Sequence, residues 1–300
     1  MVQRPKPVVM VSSLTEEGAE ATFEALELGA VDYVRKPDGT ISLDIALIER
    51  ELVSKVRAAA TSRVRGPRGL SSRLVGRRQS PGRIEKPLAP LSPDKQGLVL
   101  IGVSTGGPGT LEEILSDLPA GFPWPVVVAQ HMPGSFTGVF ARRLASLCRI
   151  SVSEVSRQTR LEAANVYIAK GDADLVFSKV ALGIMALPAP SSPQHLWHPS
   201  VTRMVESAMA VFPPERLIGV QLTGMGDDGA KAMTTLHKRG GRTIAQDEAS
   251  SVVYGMPGEL VRLGGADTVL PAGRIATQLK MWLGSVTAHG DAREAGHGLR

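Results

Sequence analysis

Short apolar runs alternate along this chain with longer stretches in which apolar residues recur at helical spacing. Val8 to Val11 predicts a buried strand, and a helix follows through about Leu28, with Gly29 as its stop. Val31 to Val34 predicts a second strand ending at Lys36-Pro37, and residues 42–56 an amphipathic helix. This β-α-β-α segment is small, and two parallel strands cannot cover their own faces or edges. The pattern is stronger further on. Leu98 to Val103 is an apolar strand, and Leu111, Ile114, Leu115 and Leu118 then fall on one helical face. Val126 to Ala129 is a strand, followed by a helix carrying Phe136, Phe140, Leu144 and Leu147. Weaker strands are predicted near 151–155, 166–169 and 175–187, and a helix through Met204, Val205, Ala208, Met209 and Phe212. Leu217 to Leu222 is a strand, residues from about Ala230 to Arg239 a helix, and Thr243 to Ala245 and Thr268 to Leu270 late strands. Such alternation predicts an α/β fold, a doubly wound and mainly parallel sheet with helices on both faces. Ligands of such sheets sit beyond the carboxyl ends of the strands.

Between the two patterned regions, residues 57–96 are rich in Pro, Gly, Ser and Arg, which predicts a flexible linker. It holds ten Arg or Lys against two acids, a balance of +8 within a net charge of +5, so the rest of the chain carries −3. The basic character therefore belongs to the linker. With aromatics at 4% and abundant Pro and Gly, that segment fits a solvated tether better than a nucleic-acid binder, and no nucleic-acid partner is expected. No apolar run approaches the length of a membrane helix, and the N-terminus lacks a signal-peptide core. The single cysteine, Cys148, excludes an internal disulfide and cysteine-cluster zinc, and its helical position predicts a buried, inert thiol. A cytoplasmic protein is expected, neither integral to a membrane nor in need of a metal or cofactor.

The candidate chemistry lies at strand ends. Ser104 follows LVLIGV in a Gly102-Val103-Ser104-Thr105-Gly106 run, the G-x-S-x-G spacing of a nucleophile elbow. The helix N-terminus behind it offers backbone N–H groups that favour the negative charge of an attacked ester. The same glycine-rich turn also suits a phosphate, and a nucleotide-binding module without hydrolase activity is the alternative reading. His131 follows the strand VVVA directly, whereas His195 and His198 lie in a Pro/Ser-rich loop, His237 at a charged helix end, and His289 and His297 in a Gly-rich tail. Asp227 and Asp228 follow the strand LIGVQL and open a helix, which either could merely cap. A serine, a histidine and an aspartate thus fall along one edge of one sheet, where a Ser-His-Asp constellation needs them. Their order differs from the Ser, Asp, His order of α/β-hydrolases.

At these residues the sequence resembles the catalytic domain of the chemotaxis protein-glutamate methylesterases (CheB). The blocks run from about Gly97 to Leu279 and include IGVSTGGP, VVVAQHMPGSFTGVFARRL, HPSVTRMVESA, LTGMGDDGA, GGRTIAQDE and SSVVYGMPGE. The resemblance implies a triad of Ser104, His131 and Asp228, with Asp227 facing solvent and Thr105 and the Met225 N–H supporting the site. It implies hydrolysis of glutamate γ-methyl esters on methyl-accepting chemoreceptors, with glutamine deamidation as a second outcome of the same chemistry. VVMVSSLTEEGAEATFEALELGAVDYVRKP resembles the second half of a response-regulator receiver, placing Ser12 on its switch hydroxyl and Lys36 on its phosphate-binding lysine. The acidic pair and phosphoacceptor of such a receiver have no counterpart here, so a truncated receiver is expected and a sensor-kinase phosphodonor is not. The implied layout is a partial receiver over 1–56, the linker over 57–96, the catalytic domain over 97–285 and a tail over 286–300. Two departures stand out: Lys170 where the family usually has proline, and Asp174 where it has histidine, followed by an unusual insert through LPAPSSPQHLW.

Overall fold

A computed structural model of the chain describes residues 6–13, 15–36, 45–61, 96–181 and 183–294. The chain divides into two compact units at Pro87 and Leu88.

The first unit holds β1 (Val9–Ser12), α1 (Glu16–Glu27), β2 (Asp32–Arg35) and α2 (Ile45–Thr61). The two strands pair in parallel from Val9 against Asp32 to Ser12 against Arg35. Thr15 caps α1 by accepting the Gly18 N–H at 3.0 Å, and Glu16 and Glu17 set negative charge against the first turn. Gly29, at φ +106°, ends the helix as its position predicts. α2 continues to Thr61, so residues 57–61 are helical rather than part of the expected linker, whose remainder through 95 lies outside the described residues.

The second unit is built on seven parallel strands: β3 (Leu98–Val103), β4 (Val126–Gln130), β5 (Ser151–Val155), β7 (Asn165–Ala169), β10 (Leu217–Gln221), β11 (Arg242–Gln246) and β12 (Thr268–Leu270). Their order across the sheet is β12-β11-β10-β3-β4-β7-β5. Every residue of β3, β4 and β10 is buried, as continuous apolar strands covered on both faces must be. Helices α3 (Gly107–Leu115), α4 (Gly134–Leu147), α5 (Val201–Val211), α6 (Ala230–Lys238), α7 (Met256–Arg262) and α8 (Ala272–Glu294) complete the layers. On one face, Leu98 and Leu100 of β3 share a core with Met204, Val205 and Ala208 of α5 and Met233 and Leu236 of α6. α3 packs against α4 and α8. From β3 the chain passes outward to β4 and then to the edge strand β5, comes back to lay β7 between them, and crosses to β10 on the other side of β3 before continuing to β11 and β12. The winding therefore reverses at β3, and the crevice beyond its carboxyl end is where such sheets bind ligands.

Two expectations change. The apolar stretch near 175–187 does not join the parallel sheet; it forms the antiparallel hairpin β8 (Ala173–Val180) and β9 (Gly183–Pro190), extended by β6 (Thr159–Arg160). β6 pairs only with Met185 and Ala186, so Pro188 and Pro190 lie where β9 has a neighbour on one side alone, the place where a missing N–H is tolerated. α8 runs to Glu294, through most of the expected tail. Among the described residues no helix is long and apolar enough to cross a membrane, and no cluster of His, Cys, Asp or Glu is arranged to hold a metal.

Candidate active site

Ser104 stands one residue beyond β3, half-buried at the point where the winding reverses. Its N–H donates to the Thr223 carbonyl at 2.9 Å, and its own carbonyl accepts the Gly107 N–H at 2.8 Å, closing a tight turn into α3. Gly106 makes that turn at φ +76°, and a Cβ there would collide with Val252. The Ser104 Cβ itself lies 2.7 Å from where a side chain on Gly224 would begin, so this serine packs against the loop after β10.

His131 stands one residue beyond β4. Val103 and Gln130 are register partners, and the His131 N–H donates to the Val103 carbonyl at 3.1 Å. Ser104 and His131 therefore occupy corresponding positions just past two adjacent strand ends. His131 Nε2 lies 2.9 Å from Asp228 Oδ2, with both side chains under a tenth exposed. Nδ1 is buried and has no hydrogen-bond partner among the described residues. The structure thus brings His131 and Asp228 together beside the Ser104 turn. His198 and His237 are engaged elsewhere, with Asp174 at 2.8 Å and Asp267 at 3.2 Å.

Asp228 does cap a helix, but not the one it precedes. Its oxygens accept the N–H groups of Val201 at 2.8 Å and Thr202 at 2.9 Å, the first residues of α5, and the Ser200 hydroxyl at 3.3 Å. Burial pushes its carboxyl toward a higher pKa, but the hydrogen bond and charge of His131 and the bonds from Thr202 outweigh that and hold it at about 2. A firmly ionised carboxylate thus faces the imidazole. Asp227 is exposed, as its place in the motif predicts.

Three buried glutamines, none of them singled out in the sequence, close β4, β10 and β11 and hold the loops that carry these groups. Gln130 Nε2 donates to the carbonyls of Ser104 at 3.1 Å and His131 at 3.0 Å. Gln221 Nε2 donates to the Asp228 carbonyl at 2.8 Å, and Gln246 Oε1 accepts the Thr223 N–H at 2.8 Å. Thr223 is buried too and donates its hydroxyl to the Thr105 carbonyl at 2.9 Å. Thr105 is 3% exposed and Met225 half-buried, each flanking the Ser104 turn through these loops. Trp197, also missed in the sequence, stacks on the His131 ring with centroids 5.5 Å apart and planes 13° from parallel.

The remaining expected residues lie apart from this cluster. Lys170 is exposed and lines a cleft of about 620 Å³ with Gly134, Ser135, Asp172 and Pro188. Cys148 is half-buried rather than buried, and burial, then the nearby Glu112 charge, pushes its thiol up to about 12, which leaves it unreactive. In the first unit, Ser12 ends β1 and its carbonyl accepts the Lys36 N–H at 2.6 Å, while the Lys36 residue is exposed.

A parallel α/β domain that gathers a serine, a histidine and an ionised aspartate at its switch point belongs to the hydrolase class. The family model for CheB methylesterase matches residues 99–279, and the chain belongs to that family. It is 63% identical over 290 residues to "Protein-glutamate methylesterase/protein-glutamine glutaminase 3" of Rhodospirillum rubrum, covering 94% of this chain and 78% of that protein. It is 45% identical to a protein-glutamate methylesterase/protein-glutamine glutaminase of Carboxydothermus hydrogenoformans, over 93% and 78% of the two chains. The solved catalytic domain of Thermotoga maritima CheB methylesterase superposes with a TM-score of 0.60 at 37% identity, covering 62% of this chain and 98% of that one. The nucleotide-binding reading of the Gly-rich turn finds no support among these relatives.

Proposed function

We propose that this protein is a protein-glutamate methylesterase that hydrolyses glutamate γ-methyl esters on chemoreceptor signalling helices, and that the same site deamidates receptor glutamines. The observation that carries the reading is the 2.9 Å bond between His131 and the ionised Asp228, placed at the strand end next to that of Ser104. Ser104 Oγ attacks the ester carbonyl while its proton passes to His131 Nδ1, since Nε2 is engaged by Asp228. Asp228 fixes the tautomer and stabilises the imidazolium that forms. Thr105 and Met225 supply backbone N–H groups to the oxyanion, one such donor being worth roughly 3 kcal/mol of barrier. The tetrahedral intermediate expels methoxide, which takes the proton from His131 and leaves as methanol. His131 then removes a proton from water, and the hydroxyl displaces Ser104 from the acyl-enzyme to yield the free carboxylate. With a glutamine the leaving group is ammonia.

The first unit is read as part of a receiver, with Ser12 and Lys36 at its switch and phosphate-contacting positions. The receptor substrate puts the reaction in the cytoplasm. Replacing Ser104 with Ala is expected to abolish methanol release from methylated receptor membranes; undiminished release would overturn the assignment.

A further inference from the structure

The segment between β9 and α5 begins and ends on one carboxylate. Asp174 is 1% exposed. Its Oδ2 accepts the Ser192 N–H at 3.1 Å and Arg203 Nη1 at 2.7 Å. Its Oδ1 accepts the Ser200 N–H at 2.8 Å and lies 2.8 Å from His198 Nδ1. Arg203 Nη1 also donates to the Pro190 carbonyl at 2.7 Å, at the foot of the segment. Both ends of the 192–200 loop are therefore drawn to one point by charge-assisted bonds, which are the strong ones. At the tip, Leu196 is 83% exposed, while the next residue, Trp197, turns inward onto His131. The indole lies over Gly226, where a Cβ would stand 3.6 Å from Trp197 Nε1. It thus touches both the imidazole face and the loop that carries Asp228.

We infer that Trp197 is a positioning residue for His131, and that Asp174 holds it there by clamping the 192–200 loop at both ends. The inference rests on His131 being the base in the proposed reaction. A single hydrogen bond to Asp228 leaves the imidazole free to swing about that contact, and a parallel ring against its face removes the freedom. When His131 takes the Ser104 proton it becomes a cation, and an indole face attracts a cation while excluding water from it. That attraction exists in the charged state and not before, so its loss falls on kcat rather than on KM.

The full-length protein is assayed by methanol release from methylated receptor membranes, with tryptophan emission recorded on the same samples. Trp197→Ala is expected to lower kcat by roughly three- to thirtyfold with KM little changed. Trp197→Phe, which keeps a stacking ring, is expected to restore most of that loss, and Leu196→Ala to leave kcat unaltered. Asp174→Asn is expected to lower kcat as Trp197→Ala does and to shift to the red the emission that the Trp197→Phe difference assigns to Trp197. Wild-type kcat in Trp197→Ala, or a change confined to KM, would overturn the positioning role. Normal kcat and unmoved emission in Asp174→Asn would overturn the clamp. If Trp197→Ala does not fold, Trp197→Leu is compared with Trp197→Phe, and equal kcat in the two would overturn the role of the stacked ring. Undiminished turnover in Ser104→Ala would instead indict the esterase reading, whatever the Trp197 variants do.

Discussion

The Asp228 carboxylate meets His131 and the Val201 N–H at Oδ2, and accepts the Thr202 N–H and the Ser200 hydroxyl at Oδ1. Asn in its place must put an NH₂ group at one of the two positions, facing with a donor either His131 and the Val201 N–H or the Thr202 N–H and the Ser200 hydroxyl. Asp228→Asn is therefore expected to lower methanol release by on the order of 10³–10⁴. It should also cost about 1–3 kcal/mol in a urea melt, from the unmatched helix N–H groups. Activity within tenfold of wild type would show that the carboxylate only caps α5. At this scale much was legible in the sequence. Ser104 and His131 stand at the ends of apolar runs and Asp228 lies in the loop that leaves a third, and the parallel period puts such residues along one edge. The helix that Asp228 caps was not legible, because α5 precedes it in the chain by a whole strand and reaches it only through folding. Nor was Trp197: in SSPQHLWHPS it reads as a loop aromatic, and its partner depends on a buried Asp174 that local sequence marks only as unusual.

Where a strand stops matters as much to this site as the loop that leaves it. β4, β10 and β11 each end on a buried glutamine whose amide ties down a neighbouring loop. Gln130 is the most telling, because its one NH₂ holds the carbonyls of both Ser104 and His131 and so fixes the two residues against each other. Gln130→Leu keeps the side-chain bulk and leaves those two carbonyls without their donor, at a cost of about 1–3 kcal/mol. The seven-stranded sheet should survive with a lowered melting temperature, while kcat falls out of proportion to that loss. Unchanged kcat in a destabilised but folded Gln130→Leu would show that the amide serves the fold alone. A glutamine at the end of VVVAQ gives no such warning in the sequence, since a polar residue there reads as an ordinary exit from a strand. The stretch near 175–187 reads as strand, but its antiparallel pairing outside the main sheet was hidden for a related reason. Its apolar residues do not alternate cleanly, and its prolines argue for a loop unless the strand has a side without a partner. Boundaries drawn from composition missed as well: α2 reaches Thr61 and α8 reaches Glu294 because polar helical turns look like linker or tail.

Across the molecule, the alternation of apolar strands and helices foretold the parallel sheet, but not that two ionised carboxylates would grip one short stretch of it. Asp174 and Asp228 both bind the start of α5, between Ser200 and Arg203, and α5 packs Met204, Val205 and Ala208 into the core that β3 shares. Burial would raise both carboxyls; hydrogen bonds led by His198 for Asp174 and by His131 for Asp228 bring both below their ordinary 3.8, Asp228 to about 2. A pKa lower in the folded than in the unfolded state means stability that is complete above the unfolded value and lost as pH falls through the folded one. For Asp228 the window runs from near 4 down to about 2, and at about 1.4 kcal/mol per unit the contribution at stake is roughly 2–3 kcal/mol. The chain's three tryptophans, Trp124, Trp197 and Trp282, all lie in the second unit, so their emission follows that unit's unfolding and not the first unit's. Urea midpoints read by this emission should be nearly flat above pH 4.5 and fall toward pH 2, and Asp228→Asn should start lower and fall less steeply across the same range. Parallel slopes for wild type and Asp228→Asn would mean that the acid sensitivity of the catalytic unit arises elsewhere than at the carboxylate paired with His131.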